Sequence, residues 1–200
     1  MFTSGFVVIS FKSSKTINPI EESKMGLDIY ASKNVKLIDN PTVNDAEDLD
    51  QIYHGDFPKQ AGELVDRGYY DCEDSEHFLR MGYGRYGVLR NEIARIAGYK
   101  KTDIDKPDFR DEDYLNKYYF YKHPYLHDVY EQENGAFSEL IIFSDCEGYI
   151  CSTVCKKLYS DFEQFLDAAK AGLDDHWFEG YENLMAAFKY GSENGYARYT

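Results

Sequence analysis

Hydrophobic and polar residues alternate through residues 27 to 32 (Leu-Asp-Ile-Tyr-Ala-Ser), the period of a strand with one face buried. Residues 35 to 38 are predicted as its hairpin partner across Lys33-Asn34. Residues 39 to 62 are rich in Asp, Asn, Pro and Gly and read as a long acidic connection, with a short helix at 46 to 53. A short strand is expected within 64 to 72. The pattern then lengthens to a helical period: Leu89, Ile93, Ile96 and Ala97 share one face of a helix over 88 to 97 that Gly98 closes.

Residues 100 to 133 are polar, tyrosine-rich and interrupted by Pro107 and Pro124, and they predict an irregular region. The run Ser138-Glu139-Leu140-Ile141-Ile142-Phe143 is nearly continuous apolar sequence and predicts a strand buried on both faces at the centre of the sheet. Two further helices follow at 152 to 171 and 175 to 190, each apolar at helical spacing and each closed by a glycine. A last strand is expected at 196 to 199 after the Asn194-Gly195 turn. These elements predict an α+β fold, a single domain with a mixed β-sheet and about three main helices.

Composition narrows the classes. The chain has 200 residues and a formal charge of −14, which opposes a general nucleic-acid or anionic-membrane surface while leaving basic partners or phosphate mimicry open. The 19 tyrosines supply flat rings with polar tips, suited to facing water or stacking on a ligand. Cys72, Cys146, Cys151 and Cys155 lack the paired CxxC spacing of a structural zinc site and predict reduced thiols in a cytoplasmic setting. The apolar run at residues 6 to 11 is too short to span a membrane. Glu21-Glu22 stands just before Met25, as a translated ribosome-binding sequence would, so residues 1 to 24 are expected to be an upstream leader and 25 to 200 the domain, with 6 to 11 a conceivable added edge strand.

Against the acidic background, residues 78 to 101 carry Arg80, Arg85, Arg90, Arg95, Lys100 and Lys101 with only Glu92 opposing them. Within this stretch Gly82-Tyr83-Gly84-Arg85-Tyr86-Gly87 leads into the helix, offering backbone N–H groups, a helix terminus and guanidinium groups to a phosphate, and rings to a base. Gly82, Tyr83, Gly84, Arg85, Tyr86, Gly87 and Arg90 are therefore the candidate ligand-binding residues. No convincing strand is evident in the sequence ahead of the G-x-G-x-x-G match, as a dinucleotide site would need, and a tight turn with arginines paired to carboxylates is the competing reading.

A second constellation is Phe143-Ser144-Asp145-Cys146-Glu147-Gly148, where Asp145 and Glu147 suit a divalent cation and Cys146 a nucleophile, or where the residues simply make a polar turn. His123 and His127, four residues apart, are further metal candidates, and His127 joins Asp145 and Glu147 as a catalytic candidate.

The segments Met25 to Tyr30, Phe143 to Gly148 and Phe188 to Gly195 together resemble a scattered family of small uncharacterised proteins of bacteriophages and bacteria. That resemblance implies Met25 as the start and a cytoplasmic, phage-type context in which small acidic proteins neutralise a host component. The leading expectation is thus a non-enzymatic binding protein that inhibits a host defence component by engaging a host protein or sequestering a phosphate-containing, nucleotide-like ligand. Homo-oligomerisation is open. The alternatives are a metal-assisted phosphodiesterase or other hydrolase and an acidic nucleic-acid mimic.

Overall fold

A computed structural model describes residues 26–42, 48–132, 134–143 and 146–200 of the chain. Its centre is strand β1 (Leu27–Lys33), where Leu27, Ile29 and Ala31 are fully buried on one face while Asp28 and Tyr30 reach partial exposure on the other. Two strands flank β1: β5 (Asp74–Met81) on one edge and β7 (Tyr196–Tyr199) on the other, and β6 (Gly148–Cys151) extends the sheet beyond β7. Every pairing in this β5-β1-β7-β6 sheet is antiparallel. The mixed sheet expected from sequence is therefore corrected to an antiparallel one.

Since both edges of β1 are occupied, residues 35 to 38 cannot fold back on it. Asn34 instead takes φ +52° and turns the chain away. Strand β2 (Lys36–Ile38) joins a second antiparallel sheet of order β2-β4-β3, with β3 (Asp50–Gln51) and β4 (Tyr69–Asp71). Residues 50 and 51 are thus strand where the sequence predicts helix; 43 to 47 lie outside the described residues. So do the expected leader at 1 to 24 and the edge strand at 6 to 11.

The three long helices are those that periodicity predicts. Helix α2 spans Tyr83–Ile96, α6 Ser152–Gln164 and α8 Asp175–Gly191. Their buried stripes, Leu89 and Ile93 on α2, Leu158 and Phe162 on α6, and Tyr181, Leu184 and Phe188 on α8, meet the inner face of the main sheet in one core. Asp174 caps α8 by accepting the Trp177 N–H at 3.0 Å. Phe165 breaks the expected 152 to 171 helix into α6 and α7 (Leu166–Gly172). Shorter helices complete the fold: α1 (Pro58–Ala61), α3 (Tyr114–Lys122), α4 (Leu126–Glu131) and α5 (Ser138–Ile141).

Helix α5 replaces the predicted central strand at 138 to 143. A short run of buried apolar residues fits a buried strand and a buried helical turn equally well on hydrophobicity alone. Tertiary packing decided it: Leu140, Ile141 and Phe143 are buried in the core, and the Ile141 and Phe143 carbonyls accept from Arg90 rather than from a neighbouring strand.

A smaller apolar cluster, Ile52, Leu64, Tyr70, Cys151 and Tyr196, seats the second sheet on the first. Beside it Asp50 accepts from the Tyr196 hydroxyl at 2.6 Å and pairs with Arg198, and the Cys72 thiol lies 2.7 Å from the same hydroxyl. These polar contacts lock β3 to β7.

Candidate functional site

The glycine-rich segment is helix, not loop. Gly82 caps α2, and its carbonyl already accepts the N–H groups of Arg85 and Tyr86 at 2.9 and 3.0 Å, so the successive N–H groups do not curl into a cradle. The candidate residues also diverge, because each helical residue advances about 100° around the axis. Gly84 and Gly87 face a groove of about 410 Å³ against α3. Arg85 points about a third of a turn away, where its guanidinium meets His176 Nε2 at 2.8 Å. Tyr86 and Arg90 face inward, Tyr86 fully buried and Arg90 only 1% exposed.

The expected phosphate-binding residues are thus not brought together on one face, and Arg90 is a core clamp. Its Nη1 donates to the Ile141 carbonyl at 3.3 Å and to the Phe143 carbonyl, and its guanidinium lies 5.1 Å from the Tyr86 ring centre. Gly87 has a local reason as well, since a Cβ there would come within 3.1 Å of His123 Cε1.

Tyr83 is the candidate that also reaches a second, larger space. It stands between the α3 groove and a cleft of about 880 Å³, large enough for a small organic molecule. Tyr53, Phe57, Tyr149 and Tyr199 supply the other rings of this cleft. Tyr199, 1% exposed, is held from behind by Phe143 at 4.9 Å between ring centres and by the Tyr86 hydroxyl, which donates to its own at 3.0 Å. Phe57 packs on Phe143 at 4.9 Å, and Tyr149 donates to the Gln51 carbonyl at 3.2 Å. Burial pushes the Tyr149 phenol above its ordinary range, so the ring presents a neutral O–H.

Cys146 and Glu147 stand exposed on the same cleft, and Gly148 follows at φ +135°. A Cβ at 148 would approach Phe143 Cζ to 2.8 Å, so the turn that delivers Glu147 and Tyr149 to the cleft requires glycine. Asp145 and Ser144 lie outside the described residues. His54 also lines the cleft, with Nε2 donating to the Leu64 carbonyl at 2.7 Å.

The histidine pair separates. Pro124 ends α3 at His123, whose ring packs on Tyr119 at 4.9 Å, while His127 belongs to α4 and stacks on Phe120 at 4.6 Å. Among the described residues no group of three or more His, Cys, Asp and Glu side chains is placed to hold a metal ion. The thiols are dispersed: Cys146 is exposed, Cys155 is buried, and burial followed by a hydrogen bond to Glu63 pushes Cys151 up to about 11. No helix among the described residues is long and apolar enough to cross a membrane.

Tyr53, His54, Phe57, Tyr149 and Tyr199 are site residues that sequence reading missed. They sit in a stretch read as acidic connection, just after the 143 to 148 turn and in a terminal strand, and for the three tyrosines the one sequence signal is the excess of that residue. Compared with known protein families, curated proteins and solved structures, the chain matches none.

Proposed function

We propose that this is a binding protein that captures a small organic molecule in the aromatic cleft beside the start of α2. The observation that carries the reading is the convergence of Tyr53, Phe57, Tyr83, Tyr149 and Tyr199 on one ligand-sized space. The divergence of Arg85 and Arg90 moves the expected ligand away from one recognised by its phosphate. In the phage-type cytoplasmic setting expected from sequence, such capture would withhold a molecule from a host defence component.

The test is a thermal-shift screen of nucleosides, nucleotides and aromatic amines. A ligand at a hundred times its Kd adds about 2.7 kcal/mol, hence roughly 5–10 °C for a chain of this size. Tyr53→Ala with Tyr83→Ala should remove that shift, since both rings have exposed surface and their loss should leave the fold intact. An undiminished shift in the double variant refutes the site.

A second reading, a host protein as partner, has its own observation: α3 buries no residue, and Leu115 on it and Phe109 shortly before it are 80% and 76% exposed. Leu115→Glu with Phe109→Glu should leave the melting temperature within about 1 °C and abolish association in a pull-down from host extract. Association that survives the double substitution excludes this surface.

A further inference from the structure

We infer that the seam between α2 and α3 is a docking groove for an acidic, apolar segment of a partner protein, one that carries a bulky apolar side chain beside carboxylates. The inference rests on the second reading above, in which α3 meets a partner, and adds the chemistry of that partner. Two grooves lie along this seam. One, of about 410 Å³, is largely apolar: Val88 on α2 and Leu115 and Tyr119 on α3 line it and are 43%, 80% and 40% exposed. The other, of about 340 Å³, is polar and is lined by Lys101, Thr102, Asp103, Tyr121 and Lys122 among others. Asn91 and Lys122 line both, and the Asn91 side-chain amide donates to the Lys122 carbonyl at 2.8 Å, so the two grooves adjoin.

Exposure and charge each constrain the occupant. Leu115 and Val88 stand out into water instead of walling an enclosed space, so a partner's surface covers them better than a small molecule does. Lys101 and Lys122 have no carboxylate partner among the described residues, although the chain carries −14 and Lys33, Arg95, Arg110, Lys117, Lys157 and Arg198 all have one. Lys122 Nζ lies instead 5.5 Å from the Tyr118 ring centre. Asp103 is the one carboxylate among the described residues lining either groove, so two cations face one anion. Carboxylates on a partner would complete these exposed lysines with little desolvation. The direction of docking follows as well. Glu112 and Asp113 stand just before α3, roughly 13 Å from Lys122 along the helix axis and beyond the Debye length of about 8 Å, so they repel acid at their own end without cancelling the lysines. The partner's carboxylates therefore belong at the Lys122 end and its apolar side chain over Val88 and Leu115.

The experiment titrates the isotope-labelled full chain with three capped pentapeptides, Trp-Leu-Gly-Glu-Glu and its counterparts ending in Gln-Gln and Lys-Lys, followed by NMR of the backbone amides. The acidic peptide should shift the amides of α2 and α3 and bind about threefold or more tightly than the Gln peptide, with the Lys peptide weakest. Lys101→Gln with Lys122→Gln, both at exposed positions, should erase the preference for the acidic peptide and leave the melting temperature unchanged. Val88→Ser with Leu115→Ser, also at exposed positions, should weaken all three peptides alike. The Gln or Lys peptide binding the seam as tightly as the acidic one would overturn the charge assignment and leave α3 as a partner surface. No shift at α2 and α3 from any peptide, or shifts from the acidic peptide only elsewhere, would overturn the inference, and the pull-down from host extract would then decide the second reading by itself.

Discussion

Replacing Arg90 separates a core clamp from a ligand-binding arginine. In Arg90→Ala the Ile141 and Phe143 carbonyls lose a charged donor inside the core. Hydrogen bonds to charged groups contribute about 1.5–3 kcal/mol each. The aliphatic stem and its contact with Tyr86 disappear too, leaving a void that costs a further 1–2 kcal/mol or so. Against these losses stands the desolvation cost of keeping a guanidinium in the core, whose removal offsets about 1–3 kcal/mol. The expected net loss is about 3–5 kcal/mol, a fall of roughly 10 °C in melting temperature for a chain of this length. Arg90→Met, which keeps the stem, should recover the packing part and lose about 2–3 kcal/mol.

The assay is urea unfolding with linear extrapolation, run beside Arg85→Ala. Arg85 is exposed and touches only the His176 ring among the bonds described for it, so its loss should stay within about 0.5 kcal/mol. An Arg90→Ala protein within about 1 kcal/mol of the parent would refute the clamp and return Arg90 to the list of ligand residues.

Two other perturbations follow from the same geometry. Gly148→Ala forces a side chain into φ +135° and to within 2.8 Å of Phe143 Cζ; it should cost about 2–4 kcal/mol from strain and overpacking, read by the urea midpoint, and a neutral result would show that the turn relaxes freely. At high pH the buried acids govern stability. Cys151 rises from 9.0 to about 11 through burial and its hydrogen bond to Glu63, and Tyr99 rises from 10.0 to about 12 through burial and the nearby Asp161 charge. Both are protonated in the native state at pH values where the unfolded chain has begun to ionise. Their contribution is complete below about pH 9 and is lost as pH climbs through 11 to 12. The urea midpoint should hold to pH 9 and then fall, less steeply in Cys151→Ala, whereas a midpoint flat to pH 11 in the parent would contradict this linkage.

Local patterns were enough for β1, α8 and the final strand, because a half-buried strand or a one-sided helix writes its period into consecutive residues. Leu27, Ile29 and Ala31 alternate, and Tyr181, Leu184 and Phe188 recur at helical spacing. Period is silent where burial is all-round, so the 138 to 143 run was legible as core but not as helix α5. Nor does period say which edge a strand finds: residues 35 to 38 were denied β1 only because β5 and β7, distant in sequence, already pair with it.

The site divides the same way. The sequence marks 82 to 90 as exceptional in glycine and arginine, yet the direction of each side chain waits on the helix that starts at Tyr83 and on what packs against it. Arg90 points inward to the Ile141 and Phe143 carbonyls at and just past the end of α5, and Arg85 turns outward to His176. Of that segment, Tyr83 alone joins the cleft, whose other rings come from residues 53, 57, 149 and 199. Their convergence depends on two sheets docking through Asp50, Tyr196 and Arg198, a long-range contact that no local period encodes.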